Sequence, residues 1–281
     1  MFKIVDKQVL NPTTIKMVID APLIAKKAAP GQFIILRVDE KGERIPLTIS
    51  DSDKENGTVT IIIQIVGKTT MLLNNLEKGD SILDFVGPLG KASELDGYKK
   101  VAVIGGGTGC AIAFPQAKAL HIAGAKVDMI AGFRNTDLII LEQEMKDVCD
   151  KLTVMTDDGS NGNKGFVTNA LKENIENGAD YDLVIAIGPL PMMKAVAELT
   201  RPYNIKTIIS MNTIMVDGTG MCGGCRLTVD GETKFACIDG PDFDGHLVDF
   251  DEAMRRSTTY KDIEYREMHS DDCRLLNKIN K

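Results

Sequence analysis

Asp217, Cys222, Cys225 and Cys237 follow the pattern D-x4-C-x2-C-x11-C. Three thiols and a carboxylate on one loop are metal ligands, and the x4 and x2 gaps are those that hold a [2Fe–2S] cluster, with an aspartate where the first cysteine would stand. Gly218-Thr219-Gly220 before Cys222, and Gly223-Gly224 between the two central cysteines, let the backbone wrap closely around inorganic sulfur. Such a centre transfers single electrons. A zinc site accepts the same donors in a tetrahedron, and unliganded thiols are a third reading. The glycine-rich loop favours iron–sulfur, because a two-iron cluster must be encircled and a zinc knuckle need not be.

Gly105, Gly106, Gly107, Thr108 and Gly109 follow a strand-like run and open a helical one. Glycines there let the backbone approach a pyrophosphate, which sits on the helix N-terminus where amide N–H groups favour an anion. A plain tight turn is the alternative. Asp128 lies near the distance expected of a ribose-binding acid, but inside a strand rather than at its end. Arg134 could favour a 2′-phosphate, whereas Asp157 and Asp158 would repel one, so charge alone leaves NADH and NADPH nearly even. Asp157 and Asp158 equally suit a turn with Gly159-Ser160. Gly188 ends another strand-like run, where it permits close ligand approach or starts a helix with Pro191.

In the first third of the chain, Arg44 could pair with a diphosphate and Thr48 could hydrogen-bond a flavin ring. Gly67, Thr69 and Thr70 could receive phosphate at a helix start. All of these are equally suited to a solvated surface. His121, His246 and His269 read as surface or hairpin residues, and no side chain is singled out as a general acid or base.

These residues need a scaffold of two domains or more, as 281 residues allow. Residues 1–98 carry short Ile-, Val- and Thr-rich runs at Phe2–Val9, Thr14–Ile19, Gln32–Val38, Leu47–Ser50, Thr58–Val66 and Ser81–Phe85, separated by turn clusters. They predict a β-barrel or sandwich, with a short helix over Thr69–Leu76. Residues 99–211 alternate strand and helix and predict a doubly wound parallel α/β sheet of five strands, with a helix over Asp137–Val148. Residues 212–250 form the cysteine loop and a hairpin turning at Asp230-Gly231, and residues 251–281 read as a charged helix or surface tail.

A net charge of −7 argues against a nucleic-acid partner, and the absence of tryptophan removes a stacking platform. No apolar run reaches membrane-spanning length, and Met1–Lys7 lacks the apolar core of a signal peptide. Six cysteines, three of them in the 212–250 segment, suit a reducing, cytoplasmic compartment better than a disulfide framework.

Pro30-Gly-Gln-Phe33, Val66-Gly-Lys-Thr-Thr70, Gly87-Pro-Leu-Gly90, Gly105–Gly109, Thr156-Asp-Asp-Gly-Ser160 and Cys237-Ile-Asp-Gly-Pro241 follow one another in the order β-domain, dinucleotide domain, cysteine loop. In this the chain resembles the electron-transfer subunits of the ferredoxin–NADP reductase superfamily. Two kinds of relative share nearly its whole length. One is the electron-transfer subunit of NAD-dependent dihydroorotate dehydrogenase. The other is the small subunit of the electron-bifurcating NADH-dependent reduced ferredoxin:NADP oxidoreductase, also known as a sulfide dehydrogenase subunit.

The resemblance implies FAD on the barrel, held by Arg44, Ile45, Pro46, Leu47, Thr48, Ile63, Gln64, Ile65, Gly67, Thr69 and Thr70. It implies NAD(H) on the second domain and a [2Fe–2S] cluster on Asp217, Cys222, Cys225 and Cys237. It further implies that a larger flavoprotein or iron–sulfur subunit receives the electrons in a heterodimer or larger assembly. The chain departs from the family pattern at Arg44, which sits one residue further from Pro46-Leu47-Thr48 than the flavin motif places it. Asp217 is the second departure. The dihydroorotate relative resembles a four-cysteine pattern and the bifurcating relative an Asp-plus-three-Cys pattern, so Asp217 ranks the bifurcating reading first.

Overall fold

Val59, Ile61 and Ile63 alternate with Thr60, Ile62 and Gln64. In the computed structural model, which describes residues 1–268, the first set is fully buried and the second half-exposed. That period of two marks a strand with one face on a core. The first domain comprises β1 (Phe2–Asn11), β2 (Thr14–Asp20), α1 (Pro22–Ala25), β3 (Phe33–Arg37), β4 (Ile45–Thr48), β5 (Asp51–Asp53), β6 (Thr58–Gln64), α2 (Lys68–Asn74), β7 (Ser81–Ile82) and β8 (Asp84–Leu89). An antiparallel sheet ordered β5-β6-β2-β1-β7 and another ordered β4-β3-β8 enclose one core, which includes Ile4, Ile19, Ile34, Leu36, Ile61 and Phe85. This is the expected barrel. The single strand expected over Ser81–Phe85 breaks at Leu83, whose N–H crosses to the Val38 carbonyl (3.1 Å), so β7 joins one sheet and β8 the other. Neither α1 nor β5 is expected from sequence, because a single turn and a three-residue acidic edge carry no hydrophobic period.

The second domain comprises β9 (Lys100–Gly106), α3 (Gly109–Ile122), β10 (Lys126–Phe133), α4 (Glu142–Asp147), β11 (Lys151–Thr156), α5 (Val167–Glu176), β12 (Leu183–Ile187), α6 (Leu190–Thr200) and β13 (Thr207–Ser210). Its sheet runs β11-β10-β9-β12-β13, all parallel as expected. The central strands are buried on both faces, which is why they read as near-continuous apolar runs. The helix expected over Asp137–Val148 shortens to α4, because Ile140 and Leu141 are drawn into the core ahead of it. Among the described residues no helix is long and apolar enough to cross a membrane.

The remaining elements are β14 (Arg226–Val229), β15 (Glu232–Phe235), α7 (Ala236–Asp239), β16 (Asp242–Asp244), α8 (Phe250–Ser257) and α9 (Lys261–Met268). β14 and β15 form the expected hairpin. Asp230 and Gly231 take φ values of +52° and +73°, the left-handed pair of a tight hairpin turn. β16 is a correction to the expected boundary at residue 211, since it pairs antiparallel with β13 and adds a sixth strand to the dinucleotide sheet. The junction is tightened at Asp242, whose Oδ2 accepts from Ser93 Oγ (2.6 Å) and Gln116 Nε2 (3.1 Å), and burial holds its carboxyl above the usual range. The expected charged tail begins as α8 and α9, and α8 buries Phe250 and Ala253 in the core that contains Cys225 and Cys237. His269 and the remainder of that tail lie outside the described residues.

Candidate functional site

A cleft of about 670 Å³ opens where the glycine turn meets the barrel. Gly106, Gly107, Thr108 and Gly109 line it, with Arg134, Asp157 and Gly188 from the ends of the neighbouring strands and Gln64 from β6. Side chains on β6 explain the last of these. Ile63 points into the barrel core, whereas Gln64 points out and accepts a hydrogen bond from Thr108 Oγ1 (3.3 Å). Gly109 is required by close approach. A Cβ there would fall on the Ile187 carbonyl and lie 2.9 Å from Gly188 Cα. The N-terminus of α3 thus reaches the mouth of the cleft, where the positive end of the helix dipole suits a pyrophosphate, although the Gly107, Cys110 and Ala111 N–H groups are already bonded to the Gly132, Gly107 and Thr108 carbonyls.

Two of the expected nucleotide residues are not part of the lining. Gly105 is packed on Cys110, where its missing side chain admits α3. Asp158 turns into its own loop, its Oδ1 accepting from the Ser160 N–H (2.9 Å), and that bond holds its carboxyl below the usual range. Asp128 is likewise structural, buried and accepting from Tyr181 Oη (2.7 Å). Sequence reasoning misses Asn11, Thr13 and Thr14, which form the barrel wall of the cleft, and Phe166, an exposed aromatic at its edge. Nothing local marks the first three, since they reach the cleft only through domain packing. Asn11 secures that packing by donating from Nδ2 to the Leu138 carbonyl (3.2 Å).

The expected flavin residues occupy the barrel. Ile45, Pro46, Leu47 and Thr48 form half-buried β4 beside β6, and Arg44 is exposed just before it. Gly67 caps α2, and a Cβ there would meet nothing within 4 Å, so the chain leaves open space at that helix start. Half-buried β4 suits the edge of a flat ring, and the open helix start suits a phosphate. Thr70, expected to bind phosphate, is tied into the helix start itself. Its Oγ1 accepts from the N–H groups of Val66 and Gly67 (both 2.9 Å) and donates to the Gly67 carbonyl, while Thr69 is buried. Ile63 can offer only its backbone, and Ile65 packs partly against the barrel core.

In the cysteine loop, Cys225 and Cys237 are buried with their sulfurs 3.2 Å apart. Burial, reinforced by the neighbouring Cys225 sulfur, pushes the Cys237 thiol up to about 12, so a cation is what would make it a thiolate. Cys222 is exposed, its Sγ accepting from the Gly224 N–H (3.4 Å). Gly218 has φ +75°, and a Cβ there would press on Ile35 and Leu89 of the barrel, so glycine is needed where the loop crosses it.

Asp217, expected as the fourth ligand, stands at the base of the loop. Its carboxylate accepts from the Thr219 N–H and Oγ1 (both 3.0 Å), the Met221 N–H (3.2 Å) and the Cys222 N–H (3.3 Å), and these bonds, the Thr219 N–H foremost, hold it below the usual carboxylate range. It caps its own loop, and among the described residues no three Cys, His, Asp or Glu side chains gather around one point. The donors still fit an iron–sulfur cluster chemically. Two buried sulfurs face each other, a third sits at the loop tip, and a carboxylate already bonded to the Cys222 N–H lies at the loop base.

Family models match the chain in three consecutive stretches. They are the oxidoreductase FAD-binding domain over residues 1–93, the oxidoreductase NAD-binding domain over 103–198, and the iron–sulfur cluster binding domain of dihydroorotate dehydrogenase B over 212–249. The chain is 46% identical over 246 residues to a dihydroorotate dehydrogenase B (NAD(+)) electron transfer subunit homolog of Thermotoga maritima, covering 88% of this chain and 86% of that one. It is 34% identical over 238 residues to the dihydroorotate dehydrogenase B (NAD(+)) electron transfer subunit of Fusobacterium nucleatum, covering 81% and 90%. A solved structure of an NADH-dependent reduced ferredoxin–NADP oxidoreductase, studied for flavin-based electron bifurcation, superposes with a TM-score of 0.90 at 42% identity, covering 96% of this chain and 98% of that one.

Proposed function

Since this chain belongs to the family of dihydroorotate dehydrogenase B electron-transfer subunits, an oxidoreductase subunit with FAD-, NAD- and iron–sulfur-binding domains, we propose that it is the small subunit of an electron-bifurcating NADH:ferredoxin:NADP oxidoreductase. The observation that carries this choice is likeness over nearly the whole chain to the NADH-dependent reduced ferredoxin–NADP oxidoreductase structure, in a sequence whose Asp217 ahead of Cys222, Cys225 and Cys237 resembles the bifurcating relative's pattern.

When bound, flavin and cluster supply hydride exchange and one-electron relay, chemistry that belongs to the cofactors. The chain's own residues bind and orient. Gly106–Gly109 and the start of α3 receive the dinucleotide pyrophosphate. Gln64, tied to Thr108, keeps the barrel wall against that turn, and of the expected flavin residues it is the one that lines the nucleotide cleft. Leu47 and Thr48 hold the flavin edge, and Gly67 leaves room for its phosphates. Cys222, Cys225 and Cys237 hold the cluster, with Asp217 as fourth ligand after releasing its own backbone donors. Val216 and Met221, 53% and 88% exposed beside the loop, supply an apolar rim for the larger electron-accepting subunit.

Asp157 lies in the cleft with Arg134, so a 2′-phosphate drawn by the guanidinium meets a carboxylate on the same wall. NADH is therefore the expected reductant. In stopped-flow, NADH should reduce the bound flavin faster than NADPH at equal concentration. The reverse order would show that Arg134 governs the choice.

The names of the sequence relatives favour a second reading, the electron-transfer subunit of NAD-dependent dihydroorotate dehydrogenase. Purifying the chain with its natural partner separates the two. A complex that reduces NADP and ferredoxin supports the first reading, and one that turns over dihydroorotate with NAD replaces it with the second.

A further inference from the structure

The match to the cluster-binding domain ends at residue 249, and α8 begins at Phe250. Yet α8 is bonded to the cysteine loop and its hairpin at three points. The Asp249 N–H donates to the Thr228 carbonyl (2.9 Å), Glu252 accepts from the Thr228 N–H (3.0 Å), and Arg256 Nη2 donates to the Gly224 carbonyl (3.2 Å). Glu252 and Arg256 stand one turn apart, so both reach the same side of the helix. Phe250 and Ala253 are buried in the core around Cys225 and Cys237. From β14, Arg226 Nη1 donates to the Gly223 carbonyl (3.4 Å). Both carbonyls between Cys222 and Cys225 are therefore held by guanidinium groups.

A trans peptide points its N–H opposite to its C=O. With the Gly223 carbonyl turned to Arg226, the next N–H, that of Gly224, faces the other way and donates to Cys222 Sγ (3.4 Å). By the same rule, Arg256 on the Gly224 carbonyl turns the Cys225 N–H away from α8. Hydrogen bonds to cluster sulfurs and nearby positive charge both stabilise the more negative, reduced cluster and so raise its potential.

We propose that Arg256, assisted by Arg226, is a positioning residue for the cluster: it fixes the Cys222–Cys225 peptides so that their N–H groups face the sulfurs, and its charge helps set the reduction potential. This rests on reading residues 212–249 as the cluster site.

The test uses the full chain carrying both cofactors, as wild type, Arg256→Gln, Arg256→Lys and the Arg226→Gln/Arg256→Gln pair. Redox titration followed by electron paramagnetic resonance gives the cluster midpoint, with the flavin midpoint as internal reference. The cluster midpoint should fall in Arg256→Gln, fall further in the double variant and return toward wild type in Arg256→Lys, while the flavin midpoint stays fixed. In the cluster-free chain, amide exchange at Gly224 and Cys225 should quicken in the glutamine variants. A fully loaded double variant with wild-type midpoint and wild-type exchange overturns the proposal. A wild-type chain that takes up no iron and sulfide instead overturns the cluster reading itself, and the proposal falls with it.

Discussion

Gly109→Ala is expected to remove most nucleotide binding while leaving the barrel and its flavin in place. The new methyl would fall on the Ile187 carbonyl oxygen and lie 2.9 Å from Gly188 Cα, both backbone atoms where β12, the neighbouring strand, ends. Neither is the flexible end of a side chain, so the clash can be relieved only by moving the start of α3. Overpacking of this kind costs about 1–3 kcal/mol and sometimes more. Because the displaced helix end is the anion site itself, the loss should appear in binding: each 1.4 kcal/mol is about tenfold in Kd. Gly107 is a useful contrast, since a Cβ there meets nothing within 4 Å and alanine would bear only the strain of φ +56°. Calorimetric titration of the two variants with NADH should give a loss of tenfold or more for Gly109→Ala and a smaller one for Gly107→Ala, with flavin content unchanged. Equal, near-wild-type affinities would mean that the glycine turn does not carry the nucleotide.

Cys237→Ser should abolish stable cluster binding, because Cys237 is buried with its sulfur 3.2 Å from that of Cys225 and no third sulfur among the described residues stands beside them to replace it. Asp217 separates the ligand and loop-cap readings. As a ligand it supplies a thiolate's formal charge through a harder donor, so Asp217→Cys should retain a [2Fe–2S] cluster with a shifted potential and altered paramagnetic resonance signal, and Asp217→Ala should leave the cluster labile. As a cap only, holding Thr219, Met221 and Cys222, its replacement should loosen the loop without changing the loaded cluster's signal. A wild-type signal and potential in both variants would remove Asp217 from the ligand set and with it the main sequence reason for ranking the bifurcating reading first.

Much of the architecture is legible because it rests on local patterns. Alternation in β6, the apolar runs of β9 and β12, and Asp230-Gly231 at the hairpin each specify their structure within a few residues. Gly106 to Gly109 are legible for the same reason, as a strand–turn–helix junction. What escapes depends on distant partners. β16 contains one apolar residue, Phe243, between two acids, so its place on the edge of the dinucleotide sheet follows from pairing with β13 and leaves no period in the sequence. Asn11, Thr13 and Thr14 become cleft residues only when the barrel docks. α8 reads as a helix or a surface tail, and what the sequence does not reveal is its anchoring, because its buried residues, Phe250 and Ala253, are outnumbered by charged ones. Thr70 and Asp158 are residue types suited to ligands that the fold also uses to satisfy its own backbone, which no sequence pattern reveals.

The most direct test of the account is anaerobic addition of NADH to the purified, cofactor-loaded chain, followed by visible absorption and electron paramagnetic resonance. The flavin absorbance should bleach, and the signal of a reduced [2Fe–2S] cluster should then appear in the same protein. A chain that binds neither flavin nor iron and acid-labile sulfide, or that carries both and passes no electrons from NADH to the cluster, would contradict it.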